Sequence, residues 1–236
     1  MALPHIDYHA VLDAVTTHTE ACPLCAAIDE AESSFWDSVL FSQVGTEGFQ
    51  DQFLATDGFC RPHARDLAAR NDGTAVTMLY VPLLAHRRRW IEEETRRSRR
   101  LRRWLRRRRE HPAVRTGASA SSHDCLLCRR IDHWSTRFLI NLLRHQHDGA
   151  VREALTTGSG LCVPHYRRLR ALAGSGRVLG WLPGGPERVP PAAPWLVDLH
   201  AERFDELARD AQSAAHGSGD TVWKRLIRTM EGGRGW

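Results

Sequence analysis

Lysine is almost absent from this chain. Of its 33 basic residues all but Lys224 are arginine, a bias that reads as coding composition, so the arginine count alone says little about function. No run approaches 18 consecutive apolar residues, which leaves no candidate transmembrane helix. The first twenty residues lack a basic start followed by an apolar stretch, so no secretory signal is expected. Strand-like alternation of useful length is missing as well, and the expected fold class is mainly α. There is no glycine-rich phosphate loop, no Ser-His-Asp order and no carboxylate pair, hence no enzyme signature. What remains, 42% hydrophobic and 26% charged over 236 residues, is an ordinary globular composition with room for one medium domain or two small ones.

The charge is unevenly placed. Thirteen arginines and three glutamates lie between Arg87 and Arg109, a local charge of +10, although the whole chain carries only +5. The rest of the molecule is therefore a mildly acidic body, at −5. Pro82 and Pro112 bracket the basic segment and are expected to mark the ends of one helix about 42 Å long. Glu92–Arg96 and Glu93–Arg97 have the spacing and order that support a helix. Leu84, Trp90, Ile91, Leu101, Trp104 and Leu105 supply a narrow apolar seam.

All six cysteines belong to a repeated pattern. Cys22-Pro-Leu-Cys25 is followed after 34 residues by Cys60-Arg-Pro-His63, and Cys125-Leu-Leu-Cys128 is followed after 33 by Cys162-Val-Pro-His165. Ile28-Asp29 matches Ile131-Asp132, Gly58 matches Gly160 and Leu67 matches Leu169, the signature of a duplicated unit offset by about 103 residues. Three thiolates and an imidazole make a closed Cys3His shell of the structural zinc type. The expected shells are Cys22, Cys25, Cys60 and His63 in the first copy, and Cys125, Cys128, Cys162 and His165 in the second. Each Cys-x-Pro-His should open a helix, because proline is favoured at the first helical position and the helix N-terminus stabilises thiolate. With a turn for each Cys-x-x-Cys, this predicts two treble-clef-like helical modules. Two zinc ions are the expected cofactors, with Fe–S clusters as the alternative, since thiolate-rich sites take both. Disulfides fit poorly, because they leave the repeated histidines unexplained.

Around the ligands the spacing predicts matching helices. Ile28, Ala31, Phe35, Trp36, Val39 and Leu40 form one stripe, and Ile131, Trp134, Phe138, Leu139, Leu142 and Leu143 the other. Breaks are expected at Gly45 and Gly48 and at Asp148-Gly149. The expected organisation is a first Cys3His module over 1–86, an Arg-rich helix over 87–111, a linker over 112–124, a second module over 125–194 and C-terminal helices over 195–236. The stretch from Gly174 to Pro194 reads as an irregular loop. The helix over 195–212 is acidic and could pair with the Arg-rich helix.

The motifs CPLC, IDEAESSFW and DGFCRPH, then CLLC and SGLCVPH, resemble an uncharacterised family of bacterial proteins, a domain of unknown function with tandem Cys-x-x-Cys…Cys-x-x-His modules. The resemblance covers about residues 20–70 and 123–172. It implies the eight metal ligands above and a bacterial cytoplasm, but no activity. The best-supported expectation is thus a non-catalytic zinc-binding interaction or regulatory protein. Its partner contacts would come from Arg87, Arg88, Arg89, Trp90, Arg96, Arg97, Arg99, Arg100, Arg103, Trp104, Arg106 and Arg107. Nucleic acid or an acidic protein fits that surface, the alternative function being Fe–S electron transfer or sensing. A membrane surface is the least favoured partner, because the apolar seam is narrow.

Overall fold

The computed structural model describes residues 7–108, 125–173, 175, 178–179, 187–214 and 220–232. The expected linker over 112–124 lies outside them, as do most of the Gly174–Pro194 loop and the side chains from Leu101 to Arg108. The described chain is almost wholly helical; its β-structure is a two-residue antiparallel ladder, Val178 opposite Arg188 and Leu179 opposite Glu187. The chain divides into two compact units, Ser34–Ile131 (unit 1) and Ala2–Ser33 with Asp132–Trp236 (unit 2).

Helix α1 (Tyr8–Thr17) is capped by Asp7, whose carboxylate accepts from the Ala10 N–H at 3.0 Å. α2 (Pro23–Ser38) and the two residues after it carry the predicted stripe, with Ile28, Ala31, Phe35, Trp36 and Val39 buried and Leu40 half-buried. It ends in a π-turn, Val39–Gln43, where the Val44 N–H reaches back five residues to the Val39 carbonyl at 2.9 Å. α3 (Glu47–Ala55) buries Phe49 and Phe53 and leads into a turn in which Asp57 (φ 57°) and Gly58 (φ 88°) are left-handed. No side chain fits easily at Gly58: a Cβ there would lie 2.8 Å from Leu83 Cδ2.

α4 (Arg61–Ala69) opens on the Cys60 N-cap with proline in its first turn, as its sequence predicts. α5 (Gly73–Arg108) corrects one expectation. It starts nine residues before Pro82, capped by Asp72 through the Ala75 N–H (2.9 Å), and runs through the proline for a length of about 54 Å. Proline removes one intrahelical bond, which costs about 3 kcal/mol in isolation. Ala75, Leu79 and Leu83, spaced four apart and all buried, compensate by packing that face against α3 and α4. Unit 1 thereby gains an aromatic core in which Phe59 meets Trp36 at 5.0 Å and Phe53 at 4.9 Å between ring centroids.

The same order of elements returns in α6 (Leu126–His145), α7 (Gly149–Thr157), α8 (Val163–Ala173) and α9 (Pro194–Ala214). Every residue of the predicted α6 stripe is buried, and Asp148 caps α7 by accepting from Ala150 and Val151. α1 packs on α7, and the C-terminal α10 (Asp220–Glu231) packs on α8 and α9, with Arg225 reaching Asp210 at 3.5 Å.

Candidate metal centres

Four helix starts supply the eight ligands, and all four are built alike. The carbonyls of Cys22, Cys60, Cys125 and Cys162 accept from the N–H groups of Ala26, Ala64, Arg129 and Tyr166, the first bond of each helix, at 2.8–3.1 Å. Each of these cysteines stands at the N-cap position, and the second ligand of its pair (Cys25, His63, Cys128 or His165) stands three residues on. N-cap and N3 side chains converge on one side of a helix start, as in a capping box, so Cys-x-x-Cys and Cys-x-x-His are the same device. The expected turn for each Cys-x-x-Cys is thus a helical first turn. The partial positive charge of the helix N-terminus favours thiolate at every pair.

The pairs combine in a way that reverses the expected shells. Cys60 and His63 come together with Cys125 and Cys128 (site 1, in unit 1), whereas Cys22 and Cys25 meet Cys162 and His165 (site 2, in unit 2). Each site takes its Cys-x-x-Cys from one copy of the repeat and its Cys-x-x-His from the other. Within each set the donor atoms all lie within 4.8 Å of one another. In site 1, Cys60 Sγ is 3.6 Å from Cys128 Sγ, and His63 Nδ1 lies 3.2 Å from Cys60 Sγ and 3.4 Å from both Cys125 Sγ and Cys128 Sγ. In site 2, Cys25 Sγ is 3.6 Å from Cys162 Sγ, with His165 Nδ1 at 3.5, 3.4 and 3.2 Å from Cys22, Cys25 and Cys162. A tetrahedron with Zn–S near 2.3 Å and Zn–N near 2.0 Å has edges of about 3.8 Å between sulfurs and about 3.5 Å between sulfur and nitrogen. Both sets therefore fit a single tetrahedral ion.

Their surroundings differ. Burial, and a hydrogen bond to Cys162, push the Cys22 thiol up to about 12. The Cys162 thiol is pulled down by its hydrogen bond with Cys22, but a hydrogen bond from Cys25 and burial outweigh that and raise it to about 12. In site 1 the hydrogen bond from Cys128 holds Cys125 down to about 3 against the effect of burial, and Cys128 is raised in return. Tyr80, its hydroxyl buried without a hydrogen-bond partner, is pushed upward by burial and by the negative charge of Cys125 and Cys60.

Site 2 has a cover that the repeat does not provide. A cavity of about 340 Å3 beside Cys22 and Cys162 is walled by Lys224, Arg225, Arg228 and Thr229 of α10, facing Glu20 and Ser159. Gly232 (φ 86°) closes over the sulfurs, its Cβ direction 3.6 Å from Cys25 Sγ and 3.7 Å from Cys162 Sγ. Three thiolates, a neutral imidazole and a divalent ion sum to −1, so cations there suit a loaded shell.

His200 is a supporting residue that sequence reasoning missed. It is 1% exposed, donates from Nδ1 to the Leu196 carbonyl (2.7 Å), accepts from the Leu161 N–H at Nε2 (3.0 Å) and stacks on Tyr166. It so fixes the backbone just before Cys162. Burial lowers its pKa, which keeps the ring neutral and able to accept. No local motif signals it, because its partner is 39 positions away.

The residues expected to contact a partner lie along α5. Arg87 is engaged within unit 1, 2.7 Å from the Asp57 carboxylate and 3.1 Å from its carbonyl, bracing the turn before Gly58. Arg88 pairs with Glu92 at 3.0 Å, and Arg89 donates to the Ala85 carbonyl. Trp90, Arg96, Arg97, Arg99 and Arg100 are exposed. Arg103, Trp104, Arg106 and Arg107 continue the helix, with side chains outside the described set.

A helical chain with two sulfur-rich tetrahedral sets matches the family of unknown function DUF6062 over residues 5–177, and the chain belongs to that family. Nothing matches among curated proteins or among solved structures. No helix among the described residues is long and apolar enough to cross a membrane.

Proposed function

We propose that this is a non-catalytic, zinc-binding interaction or regulatory protein. Its two Cys3His shells are structural, and the basic part of α5 meets an anionic partner, nucleic acid or an acidic protein. The observation that carries the zinc reading is the closeness of the donors: four ligating atoms within 4.8 Å surround one ion, whereas a cluster spreads its thiolates over several irons. Four protein ligands also leave no position for a reacting water, which argues against a catalytic metal. Six free thiols suit a reducing, cytoplasmic setting. Metal and sulfide analysis of anaerobically purified protein tests this directly. Two zinc ions per chain are expected; iron with acid-labile sulfide replaces this reading with the Fe–S alternative. For the partner, neutralising six phosphates gives a salt dependence with a logarithmic slope of about −5.

A further inference from the structure

We propose that the α5 surface around Trp90 binds single-stranded nucleic acid, seating one amino-bearing base against the indole. The inference rests on the polyanion reading above and names its ligand.

Trp90, Ile91, Glu94, Thr95, Ser98 and Arg99 line a groove of about 310 Å3 on one side of α5. They occupy two adjacent rows, four residues apart, so two turns of helix present an aromatic and aliphatic end, a hydroxyl-bearing floor and a guanidinium. Trp90 is 62% exposed and Ile91 56% exposed, so the core of unit 1 uses neither. The segment carries +10 between Arg87 and Arg109, and this charge selects an anion. Arg99 lines the groove itself, and Arg96, Arg97 and Arg100, exposed on the other side of the same turns, add to the positive field around it.

Three contrasts single out an unpaired strand. In a duplex each base already stacks on its neighbours, whereas an exposed indole offers a face to a splayed base, worth about 1–3 kcal/mol. Glu94 sets a carboxylate inside the groove, which would face the carboxylates of an acidic peptide with like charge. The same carboxylate accepts from the exocyclic amino group of cytosine, as acidic side chains do in base recognition. A bilayer is disfavoured because Glu94, Thr95 and Ser98 interrupt the apolar face, leaving no continuous stripe to bury.

The test uses the full-length, metal-loaded chain and measures anisotropy of labelled short oligo(dC), oligo(dT) and duplex DNA at low salt. Oligo(dC) should bind more tightly than oligo(dT). Trp90→Ala should weaken oligo(dC) by about tenfold and leave duplex binding unchanged, Trp90→Phe should restore most of the loss, and Glu94→Gln should narrow the preference for oligo(dC). Unchanged metal content verifies that the variants are folded. A Trp90→Ala protein that binds oligo(dC) as before, or loses strand and duplex equally, overturns this inference and spares the polyanion reading. Failure of the unmodified chain to bind any of the three DNAs overturns this inference and leaves an acidic protein as the anionic partner of α5.

Discussion

Sites 1 and 2 are built from the same capping device and the same four ligand types, yet they sit in different surroundings. Site 1 keeps Cys60 and Cys128 half-buried beside the aromatic core, with one thiol already held as thiolate. In site 2 all three cysteines are buried, two thiols are raised, and a cationic helix lies over them. Burial and hydrogen bonds among the thiols set the thiol shifts, while α10, which lies beyond the repeated elements α2–α5 and α6–α9, adds cations beside site 2 alone. The repeated motifs supply the ligands of each shell, and a segment outside them supplies the cations beside site 2.

The comparison can be broken most severely by removing both ions. Structural zinc contributes roughly 10–16 kcal/mol, more than the roughly 5–15 kcal/mol net stability of a domain, so complete chelation should unfold both units. Circular dichroism checks this, and unchanged helicity after full metal removal would refute it. Next in size are single ligand losses. Cys60→Ser should release one ion and leave Cys125 and Cys128 open to alkylation while Cys22 and Cys25 stay protected. Cys162→Ser should do the reverse. Mass mapping of alkylated thiols reads the outcome, and exposure of Cys22 and Cys25 in Cys60→Ser would restore the pairing within each copy.

A smaller effect separates the sites by pH. Protons compete with metal for thiolate, so falling pH weakens both sites, by about tenfold per unit for each proton displaced. At neutral pH site 2 must displace protons from both Cys22 and Cys162, raised to about 12, whereas in site 1 Cys128 is raised but Cys125, lowered to about 3, carries no proton. Site 2 affinity should therefore depend more steeply on pH, measurable by competition with a chromophoric chelator. Equal slopes would remove the distinction. Smallest are the equivalent glycines before Cys60 and Cys162, both left-handed (φ 88° and 68°). Alanine at either should cost about 1–3 kcal/mol. Gly58→Ala should be the worse, because its Cβ meets Leu83 at 2.8 Å, while at Gly160 the nearest contact, His200, is 3.4 Å away. Thermal unfolding ranks the two.

Much of this was legible beforehand. Both apolar stripes, the breaks at Gly45 and Asp148, the helix starts at Cys60 and Cys162 and the eight candidate ligands follow from spacing and local chemistry. The partition of ligands does not follow, since spacers of 34 and 33 residues suit pairing within a copy as well as between copies. Pro82 misled because its local penalty is offset by burial of Ala75, Leu79 and Leu83, contacts made with other helices.

The amino-acid sequence by itself determined the ligand types, the helical class, the duplication pattern and the basic segment, because each depends on side chains a few positions apart. Tertiary structure alone decided which Cys-x-x-Cys meets which Cys-x-x-His, which thiols lie under cations, and that His200 fixes the backbone before Cys162. These depend on long-range packing, where a symmetric repeat offers two equivalent partners and only the folded chain selects one.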